Sequence, residues 1–316
     1  MRVLVTGADG FVGRWLVADL VEHGHHVTGG IRVGGGPPRD LPKAICNRVD
    51  WTEFDLLSSE SVERIAKTKG LQAVVHLAAV ASGVDARQDP GYAWAVNAAG
   101  TVRLLEDLAR AHPGPTAPRV VLVSTGEVYG SGPDRPLRED DSTAPASPYA
   151  ASKLGAEIGG FEVGRRTGLP VLVARAFPHT GPGQSQKYVL PALASRLQTA
   201  RRIAAPVIKT GNLSPVRDYL DARDVASAYR ALIERGTVGE VYNVASGTGR
   251  QLEAVVRQMA EMLELRVILE PDQALLRPND LLHLVGDATR LRRDTGWAPS
   301  IPFEQTLKDL LDAQAD

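Results

Sequence analysis

The sequence predicts an α/β fold built on a doubly wound parallel sheet, with a smaller α/β domain at its C-terminal end. Two observations predict it: apolar runs alternate with helical patterns through the first half, and glycines recur at every third position after the first run. Uniformly apolar strands are typical of parallel sheets covered by helices on both faces. Right-handed crossovers then wind the sheet outward in two directions, which is the Rossmann arrangement.

The expected elements follow in a regular order. Apolar runs predict strands at 3–5, 26–31, 49–54, 73–77, 119–124 and 170–174. Helical patterns between them predict helices at about 11–23, 60–68, 90–111 and 147–167. After residue 174 an apolar pattern returns at 241–244, and late helices are expected at about 251–263 and 303–314. We therefore expect one domain over 1–174 and a smaller one over 175–316, and an exchange of segments between them stays open.

Composition excludes several classes of protein. The chain has 316 residues, 43% of them hydrophobic and 23% charged, as in ordinary globular proteins. A net charge of −1 gives no reason to expect nucleic acid or a membrane surface as a partner. Cys46 is the single cysteine, so neither an intramolecular disulfide nor a cysteine-rich metal site is expected, and we expect no metal. Without a signal peptide or an apolar run of about twenty residues, a cytoplasmic protein is expected.

Gly7, Gly10 and Gly13 separate the first predicted strand from the first predicted helix. Glycines allow the backbone to approach a pyrophosphate closely, and the following helix aims free N–H groups and its positive dipole end at that anion. An ordinary tight turn is the alternative, but a strand before and a helix after favour NAD(P) binding by the first domain. The residues expected to line this site are Gly7, Gly10, Phe11 and Val12.

The end of the second predicted strand indicates which dinucleotide binds. An acidic residue usually holds the adenosine ribose hydroxyls there, but this chain has no carboxylate at 29–32 and carries Arg32. Arginine pairs with a 2′-phosphate that a carboxylate would repel, so NADP is favoured and NAD is the alternative. A solvated loop charge is the competing interpretation of Arg32. Further expected cofactor contacts are Asp55 and Leu56 at the adenine, and Leu77, Ala78 and Ala79 at the end of the fourth strand.

Tyr149 and Lys153 are four residues apart in a predicted helix and therefore share one face. A ketone that accepts hydride needs a proton at its oxygen, and we expect the Lys153 ammonium to lower the pKa of the Tyr149 phenol toward a useful range. Thr125 and Glu127 lie at the end of the fifth predicted strand. There Thr125 is expected to hydrogen-bond the substrate carbonyl, and Glu127 to act as a base or positioning group. An exposed helix pair and a helix cap are the alternatives.

Five motifs carry a resemblance to a known family. They are Thr6-Gly7-x-x-Gly10-Phe11-x-Gly13, His76-Leu77-Ala78-Ala79, Asn97-x-x-Gly100-Thr101, Ser124-Thr125-x-Glu127-Val128-Tyr129-Gly130 and Ser147-Pro148-Tyr149-x-x-x-Lys153. The chain resembles the extended short-chain dehydrogenases/reductases, which act on nucleotide-diphosphate sugars. The resemblance implies that Thr125, Tyr149 and Lys153 are catalytic and that Lys153 holds the nicotinamide ribose. Asn97, Tyr149, Lys153 and His179 join the expected cofactor residues, and Ser82, Thr125, His179 and Val189 are the expected substrate residues.

Motifs in the second half resemble one subgroup of that family, the reductases of GDP-4-keto-6-deoxy-mannose. They include 177–184, 211–213, 216–218, 239–244, 276–278 and 295–297. The resemblance implies reduction of the C4 ketone of a GDP-linked deoxysugar to GDP-rhamnose, and a homodimer formed through 90–111 and 147–167. Arg217 and Arg277 are expected against the substrate diphosphate, because a guanidinium fork suits phosphate oxygens.

Two departures from the family bear on the reaction. Pro178 stands where the family usually has asparagine, so a side-chain hydrogen bond to substrate is lost there. Gly126 stands where dTDP-type 4,6-dehydratases carry an aspartic acid, which argues against that reaction. Two other functions stay open: a nucleotide-sugar epimerase or 4,6-dehydratase that keeps NAD(P) tightly bound, and a non-catalytic NADP-binding sensor or scaffold.

Overall fold

The computed structural model describes residues 1–205, 207–276 and 281–315. Its strands are β1 (Arg2–Thr6), β2 (His26–Ile31), β3 (Val49–Glu53), β4 (Ala73–His76), β5 (Arg119–Thr125), β6 (Val171–Ala176), β7 (His179–Thr180), β8 (Val207–Thr210), β9 (Val216–Asp218), β10 (Leu220–Asp221), β11 (Val241–Val244), β12 (Gly249–Gln251), β13 (Ile268–Pro271) and β14 (His283–Leu284). Its α-helices are α1 (Phe11–Glu22), α2 (Lys43–Cys46), α3 (Ser59–Ala66), α4 (Gly83–Gln88), α5 (Pro90–Trp94), α6 (Thr101–Ala111), α7 (Pro148–Thr167), α8 (Val189–Ile203), α9 (Ala222–Arg235), α10 (Leu252–Met262), α11 (Thr289–Thr295) and α12 (Phe303–Asp312).

Seven of the described strands form one sheet, in the order β11-β6-β5-β4-β1-β2-β3, and each neighbouring pair is parallel. The expected doubly wound parallel sheet is confirmed. The direction of winding reverses between β1 and β4, and ligands bind outside the carboxyl ends of the strands at such a point. Those ends are Thr6 and His76, which are partners in the strand register.

The sheet is buried on both faces, as its apolar strands predict. Val3 and Val5 of β1 belong to one buried apolar cluster, which also contains residues of α1 and α9. Leu4 between them belongs to a second cluster, which contains residues of α3, α6 and α7. Alternate side chains of one strand therefore enter opposite layers.

The helix expected over 90–111 is divided into three parts. α5 runs into a π-helical segment, Ala95–Gly100, and α6 continues from there. The wider turn places Asn97 beside the backbone of Val80, with which its side chain forms two hydrogen bonds. A π-helical turn adds a single residue and leaves the apolar periodicity on either side almost unchanged. The sequence pattern therefore did not reveal the π-helical segment.

The second half contains more helix than the sequence pattern predicts, since α8, α9 and α11 accompany the two expected late helices. α9 packs against α1. Alanines make up much of the buried face of α9, and because alanine is only weakly apolar, the sequence pattern did not predict this helix. β11 lies at the edge of the main sheet beside β6. Helices α8, α10 and α12 enclose a third apolar cluster near the shorter strands. The domain boundary at 174/175 stays a prediction.

Membrane-spanning helices and metal-binding clusters are both absent from the described residues. None of the described helices combines the length and the apolar character needed to cross a membrane. No group of three or more His, Cys, Asp or Glu side chains in the described ranges is arranged to hold a metal ion.

Candidate active site

The glycine loop between β1 and α1 lies at the reversal point of the sheet. Gly7 has φ +71°, in the left-handed region, and a Cβ there would lie 2.9 Å from the backbone nitrogen of Ala78. α1 begins after Gly10 without a side-chain cap, so its first N–H groups are left for another acceptor. Glycine at position 7 thus lets the loop pass close to the end of β4, and the free N–H groups at the start of α1 fit a pyrophosphate.

Phe11 lies under the loop that follows β6. Its ring is parallel to the ring of His179 within 5°, with centroids 6.2 Å apart. The guanidinium of Arg14 lies 5.4 Å from the Phe11 centroid and donates to the carbonyl of Pro182 at 3.0 Å. Burial lowers the pKa of His179. Nδ1 of the neutral ring donates to the Phe177 carbonyl at 2.9 Å, so Nε2 remains as an acceptor.

The adenosine end of the site contains a pair that sequence reasoning missed. Nε of Arg32, at the end of β2, donates to Oδ2 of Asp9 in the glycine loop at 3.1 Å. Asp55 is exposed, and its carboxylate accepts from the backbone N–H of Leu57 at 2.9 Å. Leu56 is buried beside Gly100. The residue expected to read a 2′-phosphate thus has an anionic partner within the protein.

A buried chain of hydrogen bonds joins the ends of β1 and β4. The N–H of Ala78 donates to the Thr6 hydroxyl at 3.2 Å, and Thr6 lies 2.7 Å from Nδ1 of His76. On the other side, Nε2 of His76 lies 2.9 Å from the hydroxyl of Thr101, which donates to the Asn97 carbonyl at 2.6 Å. Burial lowers the pKa of His76 to about 3. One neutral tautomer, protonated at Nε2, satisfies every member of the chain.

Asn97 connects this chain of hydrogen bonds to α7, the helix that carries Tyr149 and Lys153. Its amide nitrogen donates to the hydroxyl of Ser152 at 2.9 Å and to the carbonyl of Val80 at 3.2 Å, and its oxygen accepts from the Val80 N–H at 2.7 Å. Ser152 precedes Lys153 in α7. These bonds use the whole amide, so Asn97 holds the strand end against α7, and its direct contact with a cofactor stays a prediction.

The expected catalytic residues meet at the carboxyl end of β5. α7 starts at Ser147, whose hydroxyl accepts from the N–H of Ala150 at 3.1 Å, and its first turn carries Tyr149. The Thr125 side chain lies beside the Tyr149 hydroxyl and partly offsets the rise in the pKa of that phenol. Burial raises the pKa of the Tyr149 phenol, and the nearby Glu127 carboxylate raises it further.

That pKa direction corrects an expectation. The Lys153 ammonium was expected to lower the pKa of Tyr149, but burial and Glu127 dominate, and Lys153 does not contribute in this state. The physical reason is that the phenol lies in a poorly solvated pocket beside a carboxylate, and both disfavour its anion. The phenol is therefore protonated at neutral pH, as an unperturbed tyrosine also is, and it is a weaker acid than an unperturbed tyrosine.

Lys153 is an almost fully buried cation one turn along α7 from Tyr149. Burial lowers its pKa to about 8, and the charge of Glu157 acts in the opposite direction. Among the described residues no hydrogen bond or ion pair satisfies this ammonium. A cation that forms no hydrogen bond with these residues is suited to bind a polar group, such as the hydroxyls of a nicotinamide ribose.

Behind the expected catalytic residues lies a buried ion pair that the sequence did not reveal. Both oxygens of Glu157 accept from Arg175 of β6, the shortest contact being 2.7 Å. Glu157 also accepts from the hydroxyl of Ser124, the neighbour of Thr125. The pair therefore ties β5 and β6 to α7 below the reactive groups. Its members are 18 residues apart, so no local spacing marks them.

The expected substrate residues lie on several separate elements. The hydroxyl of Ser82 accepts from the N–H of Asp85 at 3.2 Å and caps α4, which packs on α7. Val189 begins α8, and the preceding Lys187 reaches Asp85 at 3.7 Å. Arg217 lies on β9 and donates to the carbonyl of Val216 at 3.0 Å. Arg277 and most of its loop tip lie outside the described residues.

Comparison with known proteins decides the family. The family model described as GDP-mannose 4,6 dehydratase matches residues 4–310. A GDP-6-deoxy-D-mannose reductase of Pseudomonas aeruginosa is 33% identical over 314 residues, which cover 98% of this chain and 96% of the relative. This chain is an extended short-chain dehydrogenase/reductase. The expected resemblance is confirmed, and with it the assignment as an enzyme of the NAD(P)-dependent oxidoreductase type.

Solved structures place this extended short-chain dehydrogenase/reductase among both reductases and epimerases. The Pseudomonas aeruginosa protein RMD, in complex with NADPH, is 30% identical with a TM-score of 0.85, and 99% of this chain and 98% of that one are covered. A UDP-glucose 4-epimerase from Thermotoga maritima, with UDP-glucose, is 26% identical with a TM-score of 0.88, at 99% and 98% coverage. The fold is thus common to several reactions, and the reaction must be argued from the site.

Proposed function

We propose that this enzyme reduces the C4 ketone of a nucleotide-diphosphate 4-keto-6-deoxy sugar, as in the conversion of GDP-4-keto-6-deoxy-mannose to GDP-rhamnose. The observation that carries the proposal is the arrangement at the end of β5, where the Tyr149 phenol lies beside Thr125 and one helical turn from Lys153. The phenol is protonated at neutral pH, so it carries the proton that a ketone oxygen needs when it accepts hydride. The similarity to a reductase over nearly the whole chain supports the same direction of reaction.

In the proposed mechanism the chain supplies orientation and a proton. NADPH, when bound, supplies the hydride. Thr125 hydrogen-bonds the ketone oxygen, and Tyr149 transfers its phenolic proton to that oxygen as negative charge develops. Lys153 holds the nicotinamide ribose and, as a cation, stabilises the phenolate that Tyr149 leaves. Glu127 lies close enough to Tyr149 to raise the pKa of its phenol, so a substrate at Tyr149 is also near this carboxylate. Glu127 therefore has the role of positioning the substrate.

The residues present fit a nicotinamide dinucleotide. The glycine loop at Gly7 and the uncapped start of α1 would bind the pyrophosphate. The Lys153 ammonium would bind the nicotinamide ribose. We propose NADP(H) as the favoured cofactor and NAD(H) as the alternative, because Arg32 is exposed where a 2′-phosphate would lie. Relatives with NADPH and with NAD are both known in solved structures.

Gly126 supports a reductase over a dTDP-type dehydratase. A Cβ at this position would lie 3.0 Å from the ring of Phe177, so the larger acid of those dehydratases would require the ring to move. Ser82, His179 and Val189 are proposed to contact the sugar nucleotide, and Arg217 and Arg277 its diphosphate.

The deciding experiment is incubation with GDP-4-keto-6-deoxy-mannose and NADPH, followed by product NMR. We expect stoichiometric oxidation of NADPH and a GDP-linked 6-deoxyhexose with a reduced C4. GDP-mannose and UDP-glucose are the matched controls, and neither should change. Epimerisation of UDP-glucose without net NADPH oxidation, by enzyme that retains its cofactor through purification, would establish the epimerase alternative instead. Binding of NADPH without turnover of any sugar nucleotide would favour a sensor or scaffold.

We also propose a homodimer formed through α5, α6 and α7, and activity in the cytoplasm. Trp94 and Ile158 are 45% and 64% exposed, and the Trp94 ring lies against Gly155, one turn before Ile158. Two large apolar side chains exposed close together are suited to contact a partner surface. Ile158→Asp is expected to convert the protein from twice the chain mass to a monomer in sedimentation equilibrium. Ile203→Asp, at an exposed isoleucine on α8, is the control and should leave the dimer intact.

A further inference from the structure

Asp9 occupies an unexpected position for a carboxylate in this glycine loop. Its side chain is only 10% exposed, whereas that of its partner Arg32 is 87% exposed. Arg32 uses Nε for the contact with Oδ2 of Asp9. Among the described residues, neither Oδ1 of Asp9 nor the two terminal nitrogens of Arg32 have another partner. The pair therefore presents one free acceptor and a free guanidinium fork.

The backbone places Asp9 at the end of β2. The N–H of Ala8 donates to the carbonyl of Gly30 at 3.0 Å, so the glycine loop is fastened to β2. In Rossmann sites a carboxylate at the end of this strand accepts from the adenosine ribose hydroxyls. That strand carries none here, but Asp9 brings a carboxylate to the same place from the neighbouring segment. Glu53, the other nearby acid, lies at the end of β3 and accepts from the N–H of Gly34 at 3.1 Å through one of its oxygens.

We propose that Asp9 and Arg32 together read the 2′ position of the cofactor. Asp9 accepts a hydrogen bond from the 2′-hydroxyl of NAD(H), and Arg32, released from Asp9 on its exposed stem, pairs with the 2′-phosphate of NADP(H). The carboxylate repels that phosphate and retains Arg32, so it limits the preference for NADP(H). The inference rests on the proposed dinucleotide site and adds a specificity-determining residue to it.

Two substitutions separate the two roles of Asp9. Asp9→Asn removes the charge but keeps an acceptor, so NADPH should bind about tenfold more tightly, with little change for NADH. Asp9→Ala also removes the acceptor, so NADH should in addition bind several-fold more weakly. Arg32→Ala should weaken NADPH about tenfold or more and leave NADH nearly unchanged. Asp141→Asn, in the remote exposed pair of Asp141 with Arg135, is the control and should alter neither affinity.

The measurement is calorimetric titration of each variant with NADPH and with NADH, without sugar substrate, so it does not depend on turnover. A ratio of the two affinities that rises in Asp9→Asn and falls in Arg32→Ala supports the proposal. A wild type that binds either cofactor, with a ratio that Asp9→Asn and Asp9→Ala leave unchanged, overturns it while the proposed function stands. A wild type that binds neither cofactor overturns both. Thermal unfolding of each variant identifies any loss that comes from misfolding.

Discussion

Tyr149→Phe is expected to lower kcat by about 10²–10⁴-fold while NADPH still binds. The substitution removes only the hydroxyl beside Thr125, and the ring continues to fill its pocket. The raised pKa keeps this phenol protonated at neutral pH, so the proton that the ketone oxygen needs is present before hydride transfer. Steady-state kinetics and a separate cofactor titration measure the two effects independently.

Tyr188→Phe is the matched control for that result. Tyr188 is another partly buried phenol near Glu127, but it forms no hydrogen bond with the described residues. Removal of the Tyr188 hydroxyl should lower kcat by less than about tenfold, because this hydroxyl is not the proposed proton donor. If Tyr149→Phe retains more than about a tenth of the wild-type kcat, Tyr149 is not the general acid.

Glu157→Gln is expected to lower the free energy of unfolding by about 3–5 kcal/mol. The amide keeps the shape of the side chain but leaves the buried Arg175 guanidinium without a counter-charge. Breaking a buried pair from one side costs much more than the intact pair contributes, because the remaining charge stays desolvated. Chemical denaturation followed by circular dichroism measures the change.

The same substitution should shift the pH dependence of reduction. Lys153 must be charged, and its pKa of about 8 is held up by Glu157 against burial. Activity of the wild type should therefore fall as pH rises through about 8. Without the carboxylate the pKa of Lys153 decreases, so this decline should move to lower pH. An unshifted decline would show that Glu157 only stabilises the fold.

Glu162→Gln is the control on the same helix. Glu162 pairs with Arg166 at 2.7 Å, but both side chains are about half exposed, so water replaces the lost partner. We expect a much smaller loss of stability than in Glu157→Gln and no change in the pH profile. An equal loss in both variants would mean that burial does not govern the effect.

Much of the site was predictable because its requirements are local. Gly7 must adopt a positive φ and leave room for a close approach, and glycine is the residue that does both. The four-residue spacing of Tyr149 and Lys153 places both on one face wherever the helix forms. Thr125 follows from its position at the end of an apolar strand. These features depend on neighbours in the sequence, so the chain itself reveals them.

Other parts of the site depend on residues that are distant in sequence. Asp9 and Arg32 are 23 residues apart, and the His76 chain spans Thr6 to Thr101. The π-helical turn at Asn97 is invisible in the apolar pattern, although it lets that side chain join Val80 to Ser152. The raised pKa of Tyr149 follows from burial beside Glu127, which no spacing describes.

The sequence by itself determined the doubly wound parallel sheet, the glycine loop and the Tyr149–Lys153 pair, because periodicity and backbone freedom are properties of short segments. Only the tertiary structure decided that Arg32 faces Asp9, that Glu157 supports Lys153 and that the pKa of the Tyr149 phenol is raised. Charge interactions and desolvation act through space, so their sign is set by which distant segments the fold brings together.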